Sequence, residues 1–275
     1  MLKTLSTALK ASWMKKYIFT SNNLGLTSLV VLALYIAALY YMTNRAQKGL
    51  KIPKVRRIAG LDAIDEAIGR ATEMGRPVLF SPGIGGFVTA TFAAFGVLGH
   101  VSKLIAKYDA RLIVCNRMPN IHPVTEAVVK QSYMEQGKPD AFKADDVRFL
   151  TDDQFGYAAG VVGIMNREGV AANIMIGLFY AESLIFAEAG FQAGAIQVAG
   201  TDSTSQTPFF IVACDYTLIG EEIYAASCYL SQDKIRTATL IAQDWGKQVA
   251  VVLVGLGAIL ATFKITFLAD LLQLF

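Results

Sequence analysis

The chain has 275 residues, of which 54% are hydrophobic and 17% charged, against about 25% charged in an ordinary soluble domain, so part of it is expected in lipid. Its net charge of +3 gives no electrostatic footprint for nucleic acid. Three cysteines, Cys115, Cys214 and Cys228, show no paired spacing, which excludes a disulfide framework and suits reduced thiols.

Residues 1–23 form an N-terminal segment, and Leu24 to Thr43 (LGLTSLVVLALYIAALYYMT) then runs without a charge. At 1.5 Å per residue that run can cross a hydrocarbon core of about 30 Å, so a transmembrane helix is expected over 24–43. The run is too long for the apolar region of a signal peptide and no small-residue cleavage site follows it. A basic juxtamembrane linker follows over 44–57, where KGLKIPKVRR would face anionic headgroups.

Between 58 and 232 the periodicity alternates. GLDAIDEAIGRATEMG (60–75) places Leu61, Ile64, Ala67, Ile68, Ala71 and Met74 on one stripe and predicts an amphipathic helix with a glycine cap. VLF (78–80) reads as a buried strand, and the long apolar segment 87–108 as a buried domain helix or interface helix. RLIVC (111–115) is strand-like, 123–136 is a helix opened by Pro123, and 145–150 an edge strand. A helix over 152–169, a strand over 172–179, a helix over 181–190 and a strand over 195–200 come next. PFFIVACD (208–215) reads as another strand, and the short loop before it suggests an antiparallel member; YTLIGEEIYAASCYL (216–230) reads as a helix.

This alternation predicts an α/β domain with a mostly parallel, Rossmann-like sheet flanked by helices. A linker (233–247) leads to QVAVVLVGLGAILATF (248–263), the core of a second transmembrane helix over 248–268 if Lys264 snorkels or pairs with Asp270. Gly257 and Ala261 lie four apart there, a spacing that permits close helix approach, although glycine is also simply common in such helices. Arg45, Lys48, Lys51, Lys54, Arg56, Arg57, Lys234, Arg236 and Lys247 flank the inner domain, against Lys3, Lys10, Lys15 and Lys16 outside it. This bias places a two-pass protein in the cell membrane with the domain in the cytoplasm.

In a parallel sheet, ligands sit at the carboxyl ends of the strands. Those ends carry Ser81, Gly83, Gly85 and Gly86 of the stretch VLFSPGIGGFVTAT, then Asn116 with Arg117, Tyr180 with Glu182, Thr201 with Asp202, and Asp215. The glycine turn leaves room for a small anion at a helix start or for a neighbouring backbone. A dinucleotide fingerprint is missing, because Val88 stands where the third glycine belongs and no acid follows at the right distance; a P-loop lacks its G-K-[ST]. His100 and His122 have no partners at metal-ligand spacing, and Ser183 lacks the glycines of a nucleophile elbow. No catalytic or metal-binding residue is therefore nominated, and the cofactor question stays open.

The blocks GLDAIDEAIGRATEMGRPVLF, QFGYAAGVVGIMNRE, YAESLIFAEAG, AIQVAGT and PFFIVACDYTLIGEEIYAASCYLS resemble an uncharacterised prokaryotic family of membrane-anchored proteins carrying a domain of unknown function. The resemblance covers 58–232 and implies no activity, cofactor or catalytic residue. Two readings follow. The first is a non-enzymatic assembly or scaffold subunit that self-associates or docks onto other membrane subunits. The alternative is a membrane-anchored enzyme or sensor binding a nucleotide or small anion at the strand ends.

Overall fold

The computed structural model describes residues 24–49, 59–231 and 233–262. The segment 1–23, most of the basic linker and everything beyond Thr262 lie outside the described residues. The chain divides into two compact units, Lys54–Asp233 and the flanking pair Met1–Pro53 with Lys234–Phe275.

The inner unit is built in chain order from α2 (Ala59–Glu73; α1 belongs to the flanking unit), β1 (Val78–Gly83), α3 (Thr89–Tyr108), β2 (Leu112–Asn116), α4 (His122–Glu135) and β3 (Val147–Phe149). Then come α5 (Gln154–Glu168), β4 (Ala172–Leu178), α6 (Glu182–Gln192), β5 (Ile196–Thr201), α7 (Thr207–Ala213), β6 (Tyr216–Ile219) and α8 (Glu222–Ser231). All six strands are parallel, in the order β3-β2-β1-β4-β5-β6, which reverses direction between β1 and β4 as in doubly wound sheets.

Both faces of the sheet are covered, which explains why its strands are apolar runs instead of alternating ones. Val78, Phe80, Val114, Ile174, Val198 and Leu218 point to one side, against α2, α3 and α8. Leu79, Ile113, Cys115, Met175 and Ala199 point to the other, against α5, α6 and α7. In α2 the predicted stripe is buried from Leu61 to Ala71, but Met74 lies past the helix end and is exposed. Helix α3 would pass for a membrane span by length and composition, yet 61% of its apolar window is buried inside the domain. Its glycines have a packing role: a Cβ on Gly96 would lie 2.0 Å from Ser227 Oγ of α8.

The last third of the unit corrects the expectation. Residues 208–215 are no strand, and no strand is antiparallel among those described: PFFIVA forms α7, and YTLI, read as the start of a helix, is β6, paired parallel to β5. A six-residue apolar run fits a buried strand or a helix equally well by pattern. Pro208 decides for helix by occupying its first turn, where a missing N–H costs nothing. β6 then stops at Gly220, whose φ of 58° turns the chain into α8.

In the flanking unit, α1 (Leu24–Gln47) and α9 (Lys234–Thr262) are continuous helices, so the region 233–247, expected as a linker, is helical from Lys234. Met42 and Ala46 pack against Ala238, Ile241 and Ala242. Farther back on α1, Tyr35 lies against Gly246, so the two helices run side by side in opposite directions.

Two thiols, Cys115 buried and Cys214 half-buried, make the inner unit sensitive to base. Burial pushes Cys115 and Cys214 up to about 12, while an unfolded cysteine titrates near about 8.5. Their contribution is complete below about pH 8.5 and is lost as pH rises toward 12, because the unfolded chain releases these protons first. The expected slope is at most about 1.4 kcal/mol per pH unit per thiol. Denaturant unfolding of the full chain in detergent at pH 8 and pH 10.5 measures it. The Cys115→Ala/Cys214→Ala variant is expected to lose less stability over this interval; equal losses would refute the assignment.

Candidate functional site

The sheet reverses direction between β1 and β4, and there the glycine turn leaves β1. The two strands are not splayed apart. Their register shifts between Ser81 and Gly83, with an extra residue on β4, and Ile84 N donates to Leu178 O at 2.8 Å. Gly177 sits in this bulge at φ 146° and Gly83 at φ 83°. A Cβ on Gly177 would fall 2.2 Å from Pro82 O, and one on Gly83 would fall 2.3 Å from Leu178 O. The glycines serve a close approach of backbone to backbone, as one of the two expected occupants of the turn required.

Around this seam the polar side chains pair with one another. Gly83 N donates to Ser81 Oγ (3.3 Å), Ser81 Oγ lies 2.8 Å from Tyr157 Oη, and Tyr157 Oη donates to Cys115 O at 2.8 Å. Burial pushes the Tyr157 phenol far above its ordinary value, so it remains a donor and Ser81 donates to it. This chain of hydrogen bonds ties β1, α5 and β2 together, and among the described residues the Ser81 hydroxyl is engaged by Tyr157 Oη and Gly83 N. Arg117 donates from Nη1 to Ile84 O (3.1 Å) and from Nε to Asp152 O (2.9 Å), clipping the glycine turn to the segment before α5. Gly85 would meet Val88 and Leu178 if it carried a Cβ, whereas Gly86 is more open, with Met118 Cε at 3.8 Å.

The remaining candidates lie to either side. Asn116 ends β2, fully buried, with Nδ2 3.5 Å from His122 Nδ1 and Oδ1 without a partner among the described residues. Thr201 ends β5 and accepts from Ser203 N, while Asp202 accepts from Tyr224 Oη at 2.7 Å. The same hydroxyl also reaches Thr89 Oγ1 at 3.1 Å. Glu182 is buried and accepts from Tyr180 N and from Gln154, so it caps the first turn of its own helix.

Asp215 is the exception. It precedes β6 instead of ending a strand, and its carboxylate accepts from Gln197 N at the beginning of β5. It therefore lies at the amino-terminal ends of the strands, away from the other candidates, because 208–215 folds as helix and loop. The sequence reading missed Tyr157 and Tyr224. The available signal was a tyrosine within an otherwise apolar helix, since a buried phenol needs a hydrogen-bond partner.

A family model described as Domain of unknown function (DUF6754) matches residues 15–272. The chain belongs to this family. The match extends well beyond 58–232 and takes in both α1 and α9, so the family is defined by the flanking helices together with the α/β unit. No curated protein and no solved structure matches the chain.

Proposed function

We propose that this protein is a non-enzymatic assembly subunit of a membrane. Spans at 24–43 and 248–268 anchor it, and its Rossmann-like domain, on the cytoplasmic side, self-associates or docks onto other membrane subunits. The observation that carries this reading is the outer surface of α6 and α7. These helices lie side by side, because Phe186 of one and Phe210 of the other both pack edge-on against Phe179. Their far sides expose Leu184, Ile185, Phe191, Phe209, Ile211 and Val212, with Phe191 79% and Val212 89% accessible. From Ser203 to Cys214 there is no charged residue, and of the two acids on α6 only Glu188 is exposed. Contiguous apolar surface of this kind marks a protein or membrane contact.

The anchors are supported by the flanking helices. Val249, Val251, Val252, Val254, Leu256 and Ile259 are exposed in succession around α9, as are Val31, Leu32, Leu34 and Ile36 on α1; side chains this apolar on successive faces suit a hydrocarbon surrounding. Against a nucleotide or anion at the strand ends stands the pairing of Ser81, Arg117 and Asp202 with protein groups, and the backbone contact at Gly83.

Light scattering of the detergent-solubilised full chain tests the reading. The expected protein mass is a multiple of 29.8 kDa, or a complex with a co-purifying subunit. Phe191→Asp/Val212→Asp is expected to run as a single chain with an unchanged circular dichroism spectrum. A wild type that is monomeric and alone, or a double variant that stays assembled, overturns it.

A further inference from the structure

The apolar outer surface of α6 and α7 lies in a stretch of chain whose charge is of one sign. From Gly169 to Asp233 the sequence holds no Lys, Arg or His, and every charged residue there is an acid. Two of these acids border the apolar surface. Glu188 is exposed on α6, spaced from Leu184, Ile185 and Phe191 as neighbours on one side of a helix are. Asp215 is exposed just past the end of α7, beyond Val212. Gln197 brings the two acids to the same end of the helix pair. Its backbone N–H donates to Asp215 Oδ2 at 2.8 Å, and its Nε2 donates to Ala187 O of α6 at 2.8 Å and to Ala213 O of α7 at 3.3 Å.

Neither carboxylate has a cation beside it. Asp215 accepts from Gln197 N and Glu188 from Gln192 Nε2 at 3.2 Å, and neither makes an ion pair among the described residues. This charge limits what covers the surface. A second copy laying the same face against it would set acid against acid where water is excluded, and an anionic lipid surface would be repelled likewise. The face fits an occupant that carries Lys or Arg among aliphatic side chains. The chain itself has such a segment: no Asp or Glu precedes Asp62, and KGLKIPKVRR (48–57) sets Lys51, Lys54, Arg56 and Arg57 among Leu50, Ile52 and Val55.

We infer that the basic segment 48–57 of a second copy docks on this face, its cations against Glu188 and Asp215 and its aliphatic side chains against the exposed apolar residues of α6 and α7. The inference rests on the assembly reading above and names its partner. Within one copy the segment leads into α2, which lies on the other face of the sheet, where a Cβ on Gly60 would fall 2.6 Å from Leu218 Cδ2. The contact is therefore made between copies. It joins two unlike surfaces, so reversing the charge of one is answered by reversing the charge of the other.

Light scattering of the detergent-solubilised full chain tests this with two charge-reversed variants. Glu188→Lys/Gln192→Lys changes two exposed positions of α6 and spares Asp215, which holds Gln197 N. Lys51→Glu/Lys54→Glu changes the segment. Each variant alone is expected to associate about a hundredfold more weakly than the wild type, because like charges then meet, and to run as a single chain with an unchanged circular dichroism spectrum. An equal mixture of the two is expected to regain the wild-type mass, since both contacts between unlike variants pair opposite charges. A variant that keeps the wild-type mass, or a mixture that stays dissociated, overturns the inference while an assembled wild type leaves the assembly reading standing. A wild type that is a single copy bound to a co-purifying subunit also overturns the inference alone, and a wild type that is monomeric and alone overturns both.

Discussion

Gly177→Ala is expected to be the most damaging small substitution in the α/β unit, at about 3–5 kcal/mol. Two costs combine. At φ 146° an L side chain is strained by about 1–3 kcal/mol. The new methyl would also fall 2.2 Å from Pro82 O, a contact with backbone that no side-chain rotation relieves, and such overpacking costs about 1–3 kcal/mol more. Gly194→Ala is the control: its φ is 67°, and nothing lies within 4 Å of the position a Cβ would take, so only the conformational cost of about 1 kcal/mol applies. For a unit of this size about 2–4 °C of melting temperature corresponds to each kcal/mol. Thermal unfolding should therefore fall by roughly 10 °C for Gly177→Ala and by no more than about 4 °C for Gly194→Ala. Equal shifts would mean that β1 and β4 are not in contact at the bulge, and the seam would then be open to a ligand.

That seam also shows where sequence reading stops. VLFSPGIGG announces a strand, a tight turn and a glycine requirement, all of which are present, and the absent third glycine argues against a dinucleotide. Its partner Gly177, nearly a hundred residues later within ANIMIGLF, gives no local signal, since a glycine in an apolar strand fits a bulge, a close approach or neither. What occupies the turn is a long-range fact. Arg117 illustrates the same limit from the polar side. It reads as a free cation at a strand end, and its engagement by two backbone carbonyls, Ile84 O and Asp152 O, depends on where two other loops arrive.

Element type was legible wherever a run was long or its stripe strong, as in α2, α3 and α5. It failed at 207–219, where two short apolar runs exchanged identities. With β-branched and aromatic residues in both PFFIVA and YTLI, periodicity cannot choose between helix and strand. The deciding facts were a proline compatible with a helix start and the need for a crossover between two parallel strands. The error propagated to the site, because Asp215 moved with the strand boundary to the amino-terminal ends of the strands.

Arg111→Met is the second large effect, at about 2–4 kcal/mol, and its cause is electrostatic. Asp146 is 8% exposed and is gripped by Arg111 through Nε and Nη2, while Arg111 Nη1 binds Glu168 at 2.8 Å. Methionine keeps much of the side-chain volume but leaves the buried carboxylate facing only Arg148, 3.6 Å away, and removing one partner of such a pair costs more than the pair was worth. Arg111→Met/Asp146→Leu should therefore be more stable than Arg111→Met alone. The pH dependence separates this from a packing defect. The hydrogen bond from Arg111, ahead of the one from Arg148, holds the Glu168 carboxyl below its ordinary value. Its contribution is thus present above the unfolded pKa of about 4.3 and disappears as pH falls below it through the lower folded value. Without Arg111 the Glu168 carboxyl returns toward the ordinary range, so the variant should lose less additional stability between pH 5 and pH 3 than the wild type does. Parallel acid limbs in the two proteins, or a double variant no better than the single, would show that Arg111 acts through its packing alone.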